Sequence, residues 1–193
     1  MMVFSSNRTG SMDVLFRDLT SGEERTITSE APGKSKDGAL IDVKGNNVVY
    51  TMSDSFNGEI YVTSAHGGAK RRICGDCGRA SSLSPDGEQI LTYRQHAPIN
   101  LVNVTSGKST PLLHHVKYAL SAARFSPDGK WISFLMAKGT GAVDAMLVPF
   151  RGESVIPERD WITITTPPAN ISQVFWSPDG GLIYYVLNLA SSS

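Results

Sequence analysis

The chain has 193 residues with 18 Lys and Arg against 18 Asp and Glu, a formal net charge of zero, so no global field draws it to nucleic acid or to an anionic membrane. A hydrophobic content of 40% suits one domain with its own core, while no apolar run reaches the ~20 residues of a membrane helix and the N-terminus lacks the basic and apolar regions of a secretion signal. Only Cys74 and Cys77 occur, which excludes a disulfide framework and leaves the compartment open, periplasmic or cytoplasmic.

Taken in order, Met1 to Arg8 reads as a strand with a polar end, followed by the apolar run Val14-Leu15-Phe16, a turn at Thr20-Ser21-Gly22-Glu23 and a strand to about Ile27. The next block centres on Gly45-Asn46-Asn47-Val48-Val49-Tyr50, with strands near 39 to 43, 47 to 52, 59 to 63 and 70 to 73. Two further blocks are built on Ser84-Pro85-Asp86-Gly87 and Ser126-Pro127-Asp128-Gly129, the second lengthened by an insertion from Glu153 to Asp160. A last block on Ser177-Pro178-Asp179-Gly180 supplies two strands, Ile171 to Ser177 and Leu182 to Leu187, before a serine-rich tail.

The Ser-Pro-Asp-Gly segments have hairpin chemistry: Pro presets one turn dihedral, Asp bonds its own backbone, and Gly accepts positive φ ahead of an apolar alternating run. Gly45, Gly87, Gly129 and Gly180 fall at intervals of 42, 42 and 51 residues. A second turn, at Thr20-Ser21-Gly22, His66-Gly67-Gly68, Thr105-Ser106-Gly107 and Phe150-Arg151-Gly152, keeps the same period half a repeat out of phase. Two turns and four strands per repeat make one antiparallel blade, and a period near forty residues without helices marks a β-propeller.

This alternation of turns resembles the TolB-like propeller repeat, a relative of WD-type repeats, over nearly the whole chain. The expected fold is all-β, one propeller domain over 1–193, with four-stranded blades at about 1–28, 39–73, 79–113, 120–164 and, in part, 171–188. Three architectures fit the strand phase: about four blades of a six- to eight-bladed propeller, a four-bladed ring with a surplus strand, or a homodimer through open blade edges. Residues before the first turns, Leu83, Phe125 and Trp176, alternate with Ser81, Ala123 and Val174 and are expected to pack between blades, as are Tyr61, Trp131, Phe134 and Tyr184.

In a propeller, the loops between blades and those joining second to third strands share the face where ligands dock. Arg8, Phe56, Arg94, His96 and Lys138 fall on such loops and are the candidate partner-binding residues, with Arg8, Arg94 and Lys138 at comparable places in three blades. Cys74-Gly75-Asp76-Cys77 has no helix pattern after it to activate a redox thiol. A short disulfide, a reduced turn, and a metal site completed by His114-His115 all remain open for it. No Gly-x-Ser-x-Gly elbow or phosphate loop occurs, and Asp86, Asp128 and Asp179 are explained by turn chemistry.

The resemblance implies a non-catalytic scaffold binding a protein or peptide partner, as the sensory or interaction part of a larger bacterial protein. No enzyme activity, cofactor, nucleic-acid partner or membrane insertion is expected. The alternative is a propeller attached to an enzyme, of the prolyl-oligopeptidase gating type or a propeller lyase.

Overall fold

The first turn of each repeat closes by the same set of bonds. The Ser84 hydroxyl donates to Asp86 Oδ1 at 2.5 Å and accepts the Gln89 N–H at 2.9 Å, while Asp86 Oδ1 also accepts the Glu88 N–H at 3.0 Å. Ser126 with Asp128, Lys130 and Trp131, and Ser177 with Asp179, Gly181 and Leu182, repeat that arrangement at 2.5–3.1 Å. The degenerate copy, Asp42-Val43-Lys44-Gly45, keeps the glycine but lacks the proline and the third-position aspartate. Asp42 stands where the serine stands, and its carboxylate takes the Asn46 and Asn47 N–H groups at 2.8 and 3.2 Å. The glycine at φ between 70° and 78° completes each turn.

The computed structural model describes residues 1–8, 10–28, 34–53, 58–139, 141–152, 154–166 and 170–188. Strands β1 (Met2–Ser6), β2 (Asp13–Arg17) and β3 (Glu24–Thr26) form a three-stranded sheet. Four-stranded sheets follow in chain order: β4 (Ser35–Ile41) to β7 (Arg71–Cys74) through β5 (Asn47–Ser53) and β6 (Gly58–Ser64); β8 (Arg79–Leu83) to β11 (Ser109–Leu113) through β9 (Gln89–Tyr93) and β10 (Ile99–Asn103); and β12 (Ala119–Phe125) to β15 (Ile162–Thr163) through β13 (Trp131–Ala137) and β14 (Val143–Pro149). Strands β16 (Ile171–Trp176) and β17 (Ile183–Leu187) make a final pair. All described helix is one 3-10 turn, Glu158–Asp160. The expected all-β architecture of propeller blades is therefore present.

Several strand limits differ from the sequence reading, and turn residues account for the end of β4 and the start of β17. β4 runs Ser35–Ile41 rather than 39 to 43, and β17 begins at Ile183 rather than Leu182. Asp42 and Leu182 belong to the turns, the first as its head and the second through its N–H to Ser177.

The chain forms two compact units, Met1–Thr92 with Val102–Ser109, and Tyr93–Leu101 with Thr110–Ser193. In unit 1 β2 and β5 are the most buried strands of their sheets, and β5 hides Val48 to Ser53 entirely. Val49, Ile60, Ile73, Ala80, Ile90 and Val102 form one cluster, and Val14, Phe16, Tyr50 and Met52 another, with Tyr50 stacked on Tyr61 at 5.8 Å. Unit 2 buries Leu135, Ala145, Ile171 and Val174 together. Phe125 meets Phe150 edge-on at 5.2 Å, and Phe134 meets Trp161 at 5.0 Å. Each fully buried apolar side chain of this size contributes about 1.5–3 kcal/mol. Tyr184 departs from expectation: it is 55% exposed, because β17 pairs only with β16 among the described residues.

The turn chemistry carries two expectations. Ser126→Ala leaves the half-buried Trp131 N–H without its acceptor and releases Asp128, and should lower stability by about 1–2 kcal/mol in urea unfolding, whereas Ser126→Asp, copying Asp42, should retain part of it. Hydrogen bonds from Ser84, Ser126 and Ser177 hold the carboxyls of Asp86, Asp128 and Asp179 below the usual range. Their stabilisation is present above the ordinary value of 3.8 and is lost as pH falls through their lower folded values. Urea midpoints measured from pH 6 to 2 should fall at the acid end, and less steeply in the triple Asp→Asn variant.

Candidate binding face

The loops after second strands carry the predicted residues, and the structure shows what each side chain does there. Arg8, just past β1, forms an ion pair with Glu24 at the start of β3. Arg94 follows β9, and its carbonyl accepts the Ala97 N–H at 3.2 Å, closing a turn in which exposed His96 takes φ 56°. Lys138 follows β13, and its ammonium lies 2.5 Å from Asp144 Oδ2. Asp144 holds that ammonium above the usual lysine range. Phe56 lies outside the described residues. Arg8 and Lys138 are thus each matched by a carboxylate.

The Cys74 and Cys77 sulfurs are bonded to each other, with Cα atoms 6.1 Å apart. The loop is fastened at its other end by the Cys77 N–H, which donates to Gly58 O at 3.1 Å. Bonded sulfurs offer no thiolate to zinc, and no three His, Cys, Asp or Glu side chains among the described residues are grouped to hold a metal. Asp76, at φ 56°, makes the bend between the cysteines.

Sequence reasoning missed the acids at the head of the third strands. Asp13, Glu59 and Asp144 occupy equivalent places in β2, β6 and β14. In unit 1 Asp13 is buried, and each of its oxygens is held. Oδ2 accepts from the Ser11 hydroxyl at 2.8 Å; Oδ1 accepts from the Thr28 hydroxyl at 3.0 Å and the Lys36 ammonium at 3.1 Å. Burial pushes the Asp13 carboxyl up, and these bonds outweigh it, leaving it below the usual range. Glu59 accepts from Arg72, Tyr61 and Lys34 at 2.9, 3.1 and 3.4 Å. The legible signal was an acid ahead of an apolar run in three of four repeats; the threonine partner lies at variable spacing and gave none.

His115, weighed in the sequence only as a metal partner of the cysteines, fastens its own loop instead. Its Nδ1 accepts the Lys117 and Tyr118 N–H groups, both at 3.0 Å, and its ring stacks on Tyr118 at 4.4 Å and tilts against Trp161 at 6.1 Å. The loop 114–118 is thereby fixed from inside. It displays Val116, 87% exposed, beside His114 and Lys117. With His96 these residues line a depression of about 100 Å³ in unit 2. Unit 1 has a larger cleft, about 350 Å³, at the opposite ends of its strands, where Asp42, Asn47, Arg71 and Gly87 lie.

No family model and no curated protein matches the chain. Among solved structures it is similar to TolB from Acinetobacter baumannii, with 17% identity and a TM-score of 0.75, covering 98% of this chain and 47% of that one. It is similar to an oligogalacturonate lyase in complex with manganese, at 16% identity and TM-score 0.72, covering 99% and 56%. It is also similar to a chain of the nidogen/laminin complex, at 14% and 0.71, covering 96% and 69%. The chain spans about half the length of the first two.

The Asp13 network sets a test. Lys36→Met leaves the buried carboxylate without its cation and should cost about 3–5 kcal/mol in chemical denaturation, and Thr28→Val should cost less, about 1–3 kcal/mol. What the likenesses establish is the fold: the chain is built of β-propeller blades like those of TolB.

Proposed function

We propose that the chain is a non-catalytic scaffold that binds a protein or peptide partner through the loops carrying Arg94, His96 and Lys138. The observation that carries this reading is the loop 114–118. His115 holds its backbone by two N–H bonds and two ring contacts, while Val116 is turned to solvent between basic neighbours. A pre-ordered loop that exposes an apolar side chain loses little entropy on binding. Arg8 lies on the same class of loop in unit 1, and Phe56 is assigned to this reading from the sequence alone. A homodimer through open blade edges is a second protein contact of this scaffold, and the tyrosine-rich, exposed β17 is the strand that favours it.

The competing reading is a propeller attached to an enzyme, and the likeness to a lyase propeller favours it. It is separated by assay: the purified chain should leave peptide and oligogalacturonate substrates intact, and turnover of either would replace the scaffold reading.

Peptides selected against the immobilised chain should bind at the loop face. The triple variant Arg94→Ala, His96→Ala, Val116→Ser should weaken the selected peptides about tenfold or more by calorimetry. Lys44→Ala with Lys108→Ala, at the turn ends of their strands, should leave them unchanged. Equal affinity for the loop variant and the wild type would contradict the assignment.

A further inference from the structure

Unit 2 repeats the carboxylate frame of unit 1 with one member exchanged. The shared part is backbone and threonine: the Val14 N–H donates to Thr28 Oγ1 at 3.0 Å, and the Ala145 N–H donates to Thr165 Oγ1 at 3.2 Å. Asp13 and Asp144 each precede that N–H by one residue. The following first strand also enters alike. The Lys36 N–H donates to Met12 O at 3.3 Å in unit 1, and Val143 bridges Asn170 in parallel in unit 2.

The exchanged member is the cation. Six residues ahead of the turn head stands Lys36 in one case, before Asp42, and Ile171 in the other, before Ser177. Lys36 places its ammonium on Asp13 Oδ1. Ile171 is buried with Ala145 and Val174 and has no donor. Asp144, with only 1% of its side chain exposed, meets the Lys138 ammonium through Oδ2, and its Oδ1 has no hydrogen-bond partner. A buried carboxylate oxygen without a donor is costly, and folded proteins rarely keep one.

We infer that Asp144 receives a primary ammonium group, the side chain of a lysine on a peptide or protein partner, at Oδ1, the oxygen that Lys36 takes on Asp13. The inference rests on the scaffold reading and names one chemical feature of its partner. Lysine fits better than a metal ion, since the described residues offer no group of three ligands. It fits better than a planar guanidinium fork, since Lys138 already occupies Oδ2 and one oxygen remains. Lys138 is 32% exposed on a flexible stem, so its movement opens the way to the carboxylate. It is a competitor for the incoming ammonium.

The probes are the N-acetylated tripeptide Gly-Lys-Gly, its N-acetylated glutamine counterpart, which carries no ammonium, and tetramethylammonium, which is cationic but donates no hydrogen bond. Titrations are followed by the amide signals of Val143, Asp144 and Ala145 in nitrogen-proton NMR spectra. Gly-Lys-Gly should saturate these signals and the other two should not. Asp144→Asn should weaken Gly-Lys-Gly about tenfold or more, and Lys138→Met should tighten it severalfold. Ile171→Lys, which copies the unit 1 arrangement, should abolish it in a chain whose circular dichroism is unchanged. Where Asp144→Asn fails to fold, Lys138→Met and Ile171→Lys decide. Absence of saturation in the wild type, or Gly-Lys-Gly binding unaffected by these substitutions, would overturn the inference. Selected peptides that ignore the loop face while Gly-Lys-Gly still titrates at Asp144 would reject the scaffold reading alone.

Discussion

A serine hydroxyl shared between an aspartate and a backbone N–H is the interaction on which this chain depends. It recurs at Ser84, Ser126 and Ser177, where it joins the first two strands of a sheet and sets their register. A slip of one residue would turn each buried side chain to the other face. Because the head of the turn is an acceptor held by its own hairpin, the register is set locally, before any long-range contact forms. Asp42 shows that the acceptor matters and the hydroxyl does not, since a carboxylate at the head captures the same backbone groups.

The second turn works by the same economy with different residues. Asp18 Oδ1 takes the Thr20 and Ser21 N–H groups, and Asn103 Oδ1 takes those of Thr105 and Ser106. Gly107 then comes so close to Ile73 that a Cβ would lie 2.2 Å from its carbonyl oxygen. Each hairpin is therefore self-contained, and the apolar strands between the turns bury one another sheet by sheet. Such a scaffold commits its strands to packing and leaves its loops to vary.

This division explains what the sequence disclosed. Turn residues act on neighbours within five positions, so Pro85, Asp86 and Gly87 announce their hairpin directly, and the blades follow from its period. The start of β4 at Ser35 was less legible because Gly38, at φ 62°, interrupts the alternation with a bulge. Tyr184 read as core because its pattern equals that of buried Tyr50; only pairing on both edges buries such a strand. The charged site residues were the least legible. Lys138 looked like a free loop cation, and its carboxylate, Asp144, sits on the facing strand across the loop. The contrast between Lys36 and Ile171 has no local signature at all, since each is judged by a carboxylate more than twenty residues away.

The turns, rather than the strand ends, are the fixed points of each sheet. Native-state hydrogen exchange resolved by residue tests this most directly, at the N–H groups of Gln89, Trp131 and Leu182 that the serine hydroxyls accept. Protection at these three amides should be comparable to that of the central strand residues Leu91 and Phe134. Exchange at the rate of exposed loop amides, with the strands still protected, would contradict it and place the register-setting interaction elsewhere.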